Sequence, residues 1–384
     1  MTGIRIGIER TRLENQRLGK ENWRLWGPYL AERAWGTVRE DYSPDGEAWD
    51  YLTHDQARSR AFRWSEDGLG GVSDDRQYLC FTLALWNGRD PILKERAFGL
   101  TSTQGNHGED VKEYYFYVDA TPTHSLLRYL YKYPHRAFPY AALVEENARR
   151  TRNDPPFNLI DTGAFGESRY FDVEVTYAKA APDETHIRVV AANRGPEQAE
   201  LHLLPTLCFR NTWAWGDSID GGDKPAIRAI NAPGGATWAV EATHPELGRY
   251  FLYGRRDAEL LFTDNETNAK LLWGTPNAAP YVKDAFHRRV IDGATDAVNS
   301  SSVGSKFASW SALVLASGER AQLELVLSGR AMSSPFERSA MIFAERQAEA
   351  DEFYRDLVPA ASDEDRRIAR QALAGMIWTK QFFH

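Results

Sequence analysis

Residues Tyr170–Phe209 read YFDVEVTYAKAAPDETHIRVVAANRGPEQAELHLLPTLCF. Three runs rich in Val, Ile, Leu, Tyr and Phe (Tyr170–Tyr177, His186–Ala192 and Glu200–Phe209) are separated by AAPDE and NRGPEQ, whose Pro, Gly, Asp and Asn supply turn chemistry. Side chains alternate between faces along a strand, so Ile187, Val189 and Ala191 share one side, as do Leu201, Leu203, Leu207 and Phe209. Pro205 has no N–H to give a ladder and predicts an edge strand or a bulge. Upstream, Tyr78–Trp86 (YLCFTLALW) fits a strand buried on both faces and closes at Asn87-Gly88, while Lys112–Asp119 (KEYYFYVD) reads as a second aromatic strand. Downstream, shorter strands are expected at 236–242, 248–253 and 258–263. Ser309–Ala316 and Ala321–Leu327, joined by Ser317-Gly318-Glu319, predict a hairpin. The sum is a mainly β fold, a large antiparallel β-sandwich over residues 1–330 with an amino-terminal arm.

Helical patterns flank it. Residues 9–24 and 136–153 are expected to be helical, the latter with Pro139 near its start. Beyond 330, Pro335–Leu357 and Ser362–His384 form two helical stretches around a breaker, Val358–Ser362. Ser362 is the expected N-cap, followed by Asp363, Glu364 and Asp365. Ile368, Leu373, Met376, Ile377 and Trp378 give the last helix an apolar face with no glycine stop after it. The expected organisation is therefore a sandwich (1–330), a helical linker (331–361) and the start of a further helical domain (362–384), the chain ending mid-structure with that face bare.

Composition bounds the rest. With 384 residues, 42% hydrophobic and 26% charged, the chain is globular rather than disordered. Its net charge of −8 offers no basic footprint for nucleic acid or an anionic membrane. Cys80 and Cys208 sit in apolar runs and read as buried free thiols. The first residues, MTGIRIGIERTRLENQRLGKENW, lack the apolar stretch of a signal peptide, so a reducing, cytoplasmic setting is expected.

Common chemical signatures are missing. Gly68-Leu69-Gly70-Gly71 fails the dinucleotide pattern because Ser73 takes the last position, and no Walker A, H-E-x-x-H or G-x-S-x-G occurs. Instead, Trp23–Asp41, Phe62–Asp75 and Gly105–Tyr117 interleave aromatics with carboxylates and amides, and six of the 12 Trp fall before residue 87. Sugar recognition needs that mixture, since a ring covers the C–H face of a pyranose while polar groups take its hydroxyls. The bland alternative is core-filling Trp and Asp-Gly turns. His107, Glu109 and Asp110 do not have a metal-ligand spacing, and nothing calls for a metal or cofactor. Glu66-Asp67 and Asp74-Asp75 offer paired carboxylates, but among 54 acids such pairs are inevitable and nominate no catalytic pair.

The runs Trp26–Ser43 (WGPYLAERAWGTVREDYS), His54–Asp75 (HDQARSRAFRWSEDGLGGVSDD), Ala84–Leu100 (ALWNGRDPILKERAFGL) and Gly105–Ser125 (GNHGEDVKEYYFYVDATPTHS) resemble the amino-terminal region of bacterial glycoside hydrolase family 63 proteins. Arg370–His384 (RQALAGMIWTKQFFH) resembles that family's first barrel helix. The resemblance implies a supersandwich, a helical linker and an (α/α)₆ barrel against which the sandwich packs, the barrel carrying the acid and base of an inverting exo-α-glucosidase. The motifs of those two carboxylates have no counterpart here, so no catalytic residue is carried over. Trp35, Arg39, Trp64, Glu66, Asp67, His107 and Glu109 are the candidates for the rim of an oligosaccharide or glucoside site. A non-catalytic carbohydrate-binding or interaction domain and an inverting sugar phosphorylase are the alternatives.

Overall fold

The computed structural model describes residues 7–30, 32, 52–62, 66, 68–100, 104–105, 111–215, 224–359 and 362–380. Among them the strands form two antiparallel sheets. The six-stranded sheet runs in the order β1 (Trp26–Gly27), β2 (Leu69–Asp74), β3 (Leu79–Trp86), β8 (Ala199–Phe209), β14 (Lys306–Leu315) and β12 (Glu259–Thr263). The nine-stranded sheet runs β13 (Val303–Gly304), β9 (Ala226–Ile230), β10 (Trp238–His244), β11 (Gly248–Gly254), β15 (Arg320–Ser328), β7 (Glu184–Asn193), β6 (Tyr170–Ala181), β5 (Leu126–Pro134) and β4 (Tyr114–Ala120). Strand periodicity decides the core. Leu79, Phe81, Leu83 and Leu85 of β3 and Leu201, Leu203, Leu207 and Phe209 of β8 face Tyr129, Tyr131, Val173, Val175, Ile187 and Val189 across the sandwich. The alternate residues Cys80, Thr82, Ala84, Thr206 and Cys208 point to the outer face and are buried as well, so β3 is covered on both sides.

Three expectations are corrected. Pro205 lies in an interior strand, with no bulge: Arg210 donates its N–H to Tyr78 and Phe209 donates to Ser305 on the opposite side. Odd positions of β8 therefore aim toward β14, and that ladder omits residues 204–205 while keeping its register on both sides. One skipped rung accommodates the missing donor. Ser317-Gly318-Glu319 is a tight turn but not a hairpin, because β14 pairs with β8 and β12 whereas β15 pairs with β7 and β11 in the other sheet. The turn carries the chain from one layer to the next. Finally, β5, β2 and β9 add strands beyond those expected. In β5, Tyr129, Tyr131 and Tyr133 point inward while Arg128 and Lys132 pair outward with Glu174 and Asp172 of β6.

Among the described residues the helices are α1 (Ile8–Arg17), α2 (His54–Ala57), α3 (Tyr140–Arg149), α4 (Ala269–Trp273), α5 (Ala285–Val290), α6 (Ser339–Leu357) and α7 (Asp363–Trp378). Ser362 caps α7 by accepting from the Asp365 N–H at 3.1 Å. The expected bare aromatic face is covered by the sandwich itself. Trp378 is fully buried at the β4 edge, stacks on Tyr117 with centroids 5.4 Å apart and donates from Nε1 to the Asp119 carbonyl. Arg370 grips the Asp119 carboxylate at 2.8 and 2.5 Å. Ile368 and Met376 on the opposite side remain exposed.

Candidate functional site

Of the seven rim candidates, Glu66 lies among the described residues, whereas Trp35, Arg39, Trp64, Asp67, His107 and Glu109 lie outside them. Trp23 and Trp26 take the bland role, both buried, with Trp26 donating to the Tyr250 hydroxyl at 3.0 Å inside the core. Among the described residues no group of three His, Cys, Asp or Glu side chains is placed to hold a metal, and no helix is long and apolar enough to cross a membrane.

Glu66 sits over the outer face of the six-stranded sheet. That face is lined by Thr82, Ala84, Thr206 and Cys208, and polar side chains from three loops and from the first residue of β14 cover it. The run Pro91–Leu100 returns across the sheet after β3, tied to it by reciprocal backbone bonds between Leu85 and Lys94. Lys94, Glu95 and Arg96 are all buried there. The Lys283 amine lies 2.9 Å from Glu66 and donates to the Arg60 carbonyl at 2.9 Å. The Lys306 amine lies 2.9 Å from Glu95 and donates to the Lys283 carbonyl at 3.1 Å. Asn265 completes Glu66, donating to its second oxygen at 2.7 Å. Burial disfavours charge on Lys306, but the Glu95 carboxylate, with Cys208 and Glu66, outweighs it and holds the amine above its usual pKa. The enclosed space between these groups is about 20 Å³, room for a single water.

A third buried pair lies beside these two. Lys94 contacts Glu113 at 2.7 Å and the Tyr140 hydroxyl at 2.5 Å, and Tyr131 donates to the other Glu113 oxygen at 2.5 Å. The Lys94 amine also sits 3.9 Å from the centre of the Phe138 ring. His54 packs between Phe98 and Tyr140, and burial, reinforced by Arg96, Lys94 and Arg58, drives its pKa well below normal. Glu66, Glu95 and Glu113 each already have a lysine partner. A general acid needs a loosely held proton and a nucleophile needs an open approach; these groups have neither. The arrangement is chemically suited to pinning loops on the sheet.

A further polar group escaped the sequence reading. Glu32 is buried within the sandwich, accepting from the Gly70 N–H at 2.7 Å and the Tyr117 hydroxyl at 2.6 Å. Burial raises its carboxyl pKa to about 7, with the bonds from Tyr117 and Gly70 pulling the other way. Gly70 has φ of +57°, and an added Cβ would lie 2.9 Å from the Tyr129 ring, so the backbone reaches Glu32 where only glycine fits. No local signal distinguishes Glu32 in LAERAW from a solvent-facing acid.

No family model matches the chain. An uncharacterised Saccharomyces cerevisiae protein, YMR196W (strain ATCC 204508 / S288c), is 41% identical over 421 aligned residues, covering 98% of this chain and 38% of the yeast protein. The chain thus spans about two fifths of the length of this curated relative. Among solved structures, a polysaccharide lyase is 11% identical and overlaps 66% of this chain and 26% of its own, with a TM-score of 0.30. A galactose mutarotase-like protein from Lactobacillus casei ATCC 334 is 10% identical over 70% of this chain and 99% of its own, with a TM-score of 0.25. The architecture therefore rests on the strand pairings themselves.

Proposed function

We propose that the chain is the sandwich-and-linker portion of an inverting exo-α-glucosidase acting on oligosaccharides or small glucosides. In this reading, residues 1–330 form the sandwich, 331–361 the linker, and 362–384 begin an (α/α)₆ barrel that performs the hydrolysis. One observation carries it: segments whose sequences resemble glycoside hydrolase family 63 are fastened to the outer face of the six-stranded sheet by the buried Glu66–Lys283 and Glu95–Lys306 pairs, and to one another by Glu113–Lys94. A loop layer held this rigidly suits the rim of a sugar site supplied by a neighbouring domain. Inversion requires an acid and a base about 6.5–9.5 Å apart with a water between them, and paired, lysine-bound carboxylates do not suit either task.

The test compares the 384-residue chain with a longer protein carrying the barrel, both assayed on α-glucosides. Hydrolysis by the longer protein alone, with inverted anomeric product, supports the proposal. Strong turnover by the 384-residue chain refutes the assignment of the chemistry to the barrel. Dependence of cleavage on added phosphate would identify a phosphorylase instead. Micromolar binding of gluco-oligosaccharides by the chain without turnover in either protein would identify a binding module.

A further inference from the structure

Loops at one end of the sandwich enclose a cleft of about 320 Å³ that the proposed glucosidase role does not use. It forms where β3 and β5 end and β6 and β8 begin, so both sheets contribute. Its floor is prearranged. The buried Asn87 amide donates to the carbonyls of Pro134 and Arg136 at 2.8 and 3.0 Å, and its oxygen accepts from the N–H groups of Arg89 and Asp90 at 3.0 and 2.7 Å. One side chain thus clamps two loops together.

The imidazole of His135, only 8% exposed, lines this cleft. It packs on Phe171 with centroids 4.3 Å apart and abuts Gly195, where a Cβ would fall 2.5 Å from its Cε1. Packing fixes the ring; the Tyr170 carbonyl lies near it without forming a well-aligned hydrogen bond, and neither nitrogen has another partner. Buried polar groups in native proteins nearly always have one, so this ring is placed to bond whatever enters the cleft. Three guanidiniums surround it. Arg169 is engaged by Glu197 at 2.8 Å and by Glu167. Arg89 and Arg136 are exposed and make no side-chain hydrogen bond or ion pair among the described residues. The lining acids are already used, Glu197 by Arg169 and Glu200 by His202 at 2.7 Å. Arg89 and Arg136 are left as the cations of the lining without a carboxylate partner among the described residues, in a chain whose net charge is −8. No Trp, Tyr or Phe lines the cleft, so the C–H face of a neutral sugar would meet no ring.

We propose that this cleft binds a phosphate-class oxyanion, with Arg89 and Arg136 forking its oxygens and His135 donating an N–H. The site does not depend on the glucosidase reading. Burial, helped by Arg169 and Arg89 and opposed by Glu197 and the Tyr170 carbonyl, keeps the His135 pKa below its usual value. A bound dianion reverses that balance and raises it.

Calorimetry of the full chain at low ionic strength tests the site with inorganic phosphate, glucose 6-phosphate and glucose. Saturable millimolar or tighter binding of inorganic phosphate marks free phosphate as the ligand. Binding of the sugar phosphate alone marks an esterified phosphoryl group. Either supports the proposal when R89E/R136E, two surface changes, weakens binding by roughly tenfold or more and when NMR titration shows the His135 pKa rising on binding. Absence of saturable binding by both phosphates, equal binding by R89E/R136E, or glucose binding as tightly as its phosphate overturns it.

Discussion

Glu32 gives a quantitative test of the buried core. A carboxyl whose pKa is about 7 when folded and 4.5 when exposed binds its proton more tightly in the native state. Below pH 4.5 both states are protonated and the group costs nothing. Between 4.5 and about 7 the unfolded chain releases a proton that the native state retains, so stability falls as pH rises. Above about 7 the native carboxyl ionises too and the penalty levels off. A shift of this size, at about 1.4 kcal/mol per pKa unit, corresponds to a penalty of about 3 kcal/mol at pH 8.

Glu32→Gln removes the charge and keeps the shape. The amide oxygen accepts from the Gly70 N–H at the present 2.7 Å position, and its NH₂ donates to the Tyr117 oxygen. Urea denaturation at pH 5 and pH 8 should therefore show the variant close to wild type at the lower pH and about 2–3 kcal/mol more stable at the higher. Two other buried groups titrate nearby. Burial raises Asp90 to about 6, which acts in the same direction, and lowers Lys179 to about 7, which acts oppositely. Both are common to wild type and variant, so the difference between the two proteins isolates Glu32. A gap that is the same at both pH values, or a variant less stable than wild type at pH 8, would refute the reasoning.

Removing one partner of a buried pair strands the other, so Glu66→Gln should cost about 3–5 kcal/mol, and adding Lys283→Met should recover much of it. Losses that merely add in the double variant would show that the two side chains are not coupled. Trp378→Ala deletes a fully buried ring stacked on Tyr117 and should cost about 3–5 kcal/mol while exposing α7 to limited proteolysis; an unchanged cleavage pattern would detach α7 from the sandwich. Burial, with Cys208 and Glu66 adding to it, pushes the Cys80 thiol pKa far up. Alkylation of Cys80 should therefore proceed only in denaturant, and rapid labelling of the native chain would contradict its place between β3 and the loop layer.

The elements of this fold that sequence made legible are those with a local period. Alternation along Tyr170–Phe209 placed Ile187 and Val189 on one face of their strand and Leu201 and Leu203 on one face of theirs, and the two faces meet in one core. What lay beyond that reading are the relations between elements. Ser317-Gly318-Glu319 has the chemistry of a hairpin, yet a tight turn serves equally well to pass from one sheet to the other. Only the pairing of β14 with β8 and of β15 with β7 separates the two cases. Lys94, Lys283 and Lys306 look like solvated charges in sequence because burial of a lysine is decided by a partner up to 217 positions away. Unpaired, each would be prohibitively costly under a sheet.

Sequence pattern and packing nevertheless meet at β3. A strand reading YLCFTLALW, apolar on both faces, requires a cover on its outer side as well as a core on its inner one. The inner cover is the nine-stranded sheet. The outer cover includes Glu66 and the run Pro91–Leu100, whose Leu93 packs on the sheet while Glu95 reaches Lys306. Paired charges do part of the sealing, beside the small apolar cluster of Leu93, Leu204, Leu261 and Phe286. A cover built this way is rigid only while every charge keeps its partner. The loops it anchors are therefore the part of the molecule where a single substitution, Glu66→Gln or Glu95→Gln, should raise local hydrogen exchange well before it unfolds the sandwich.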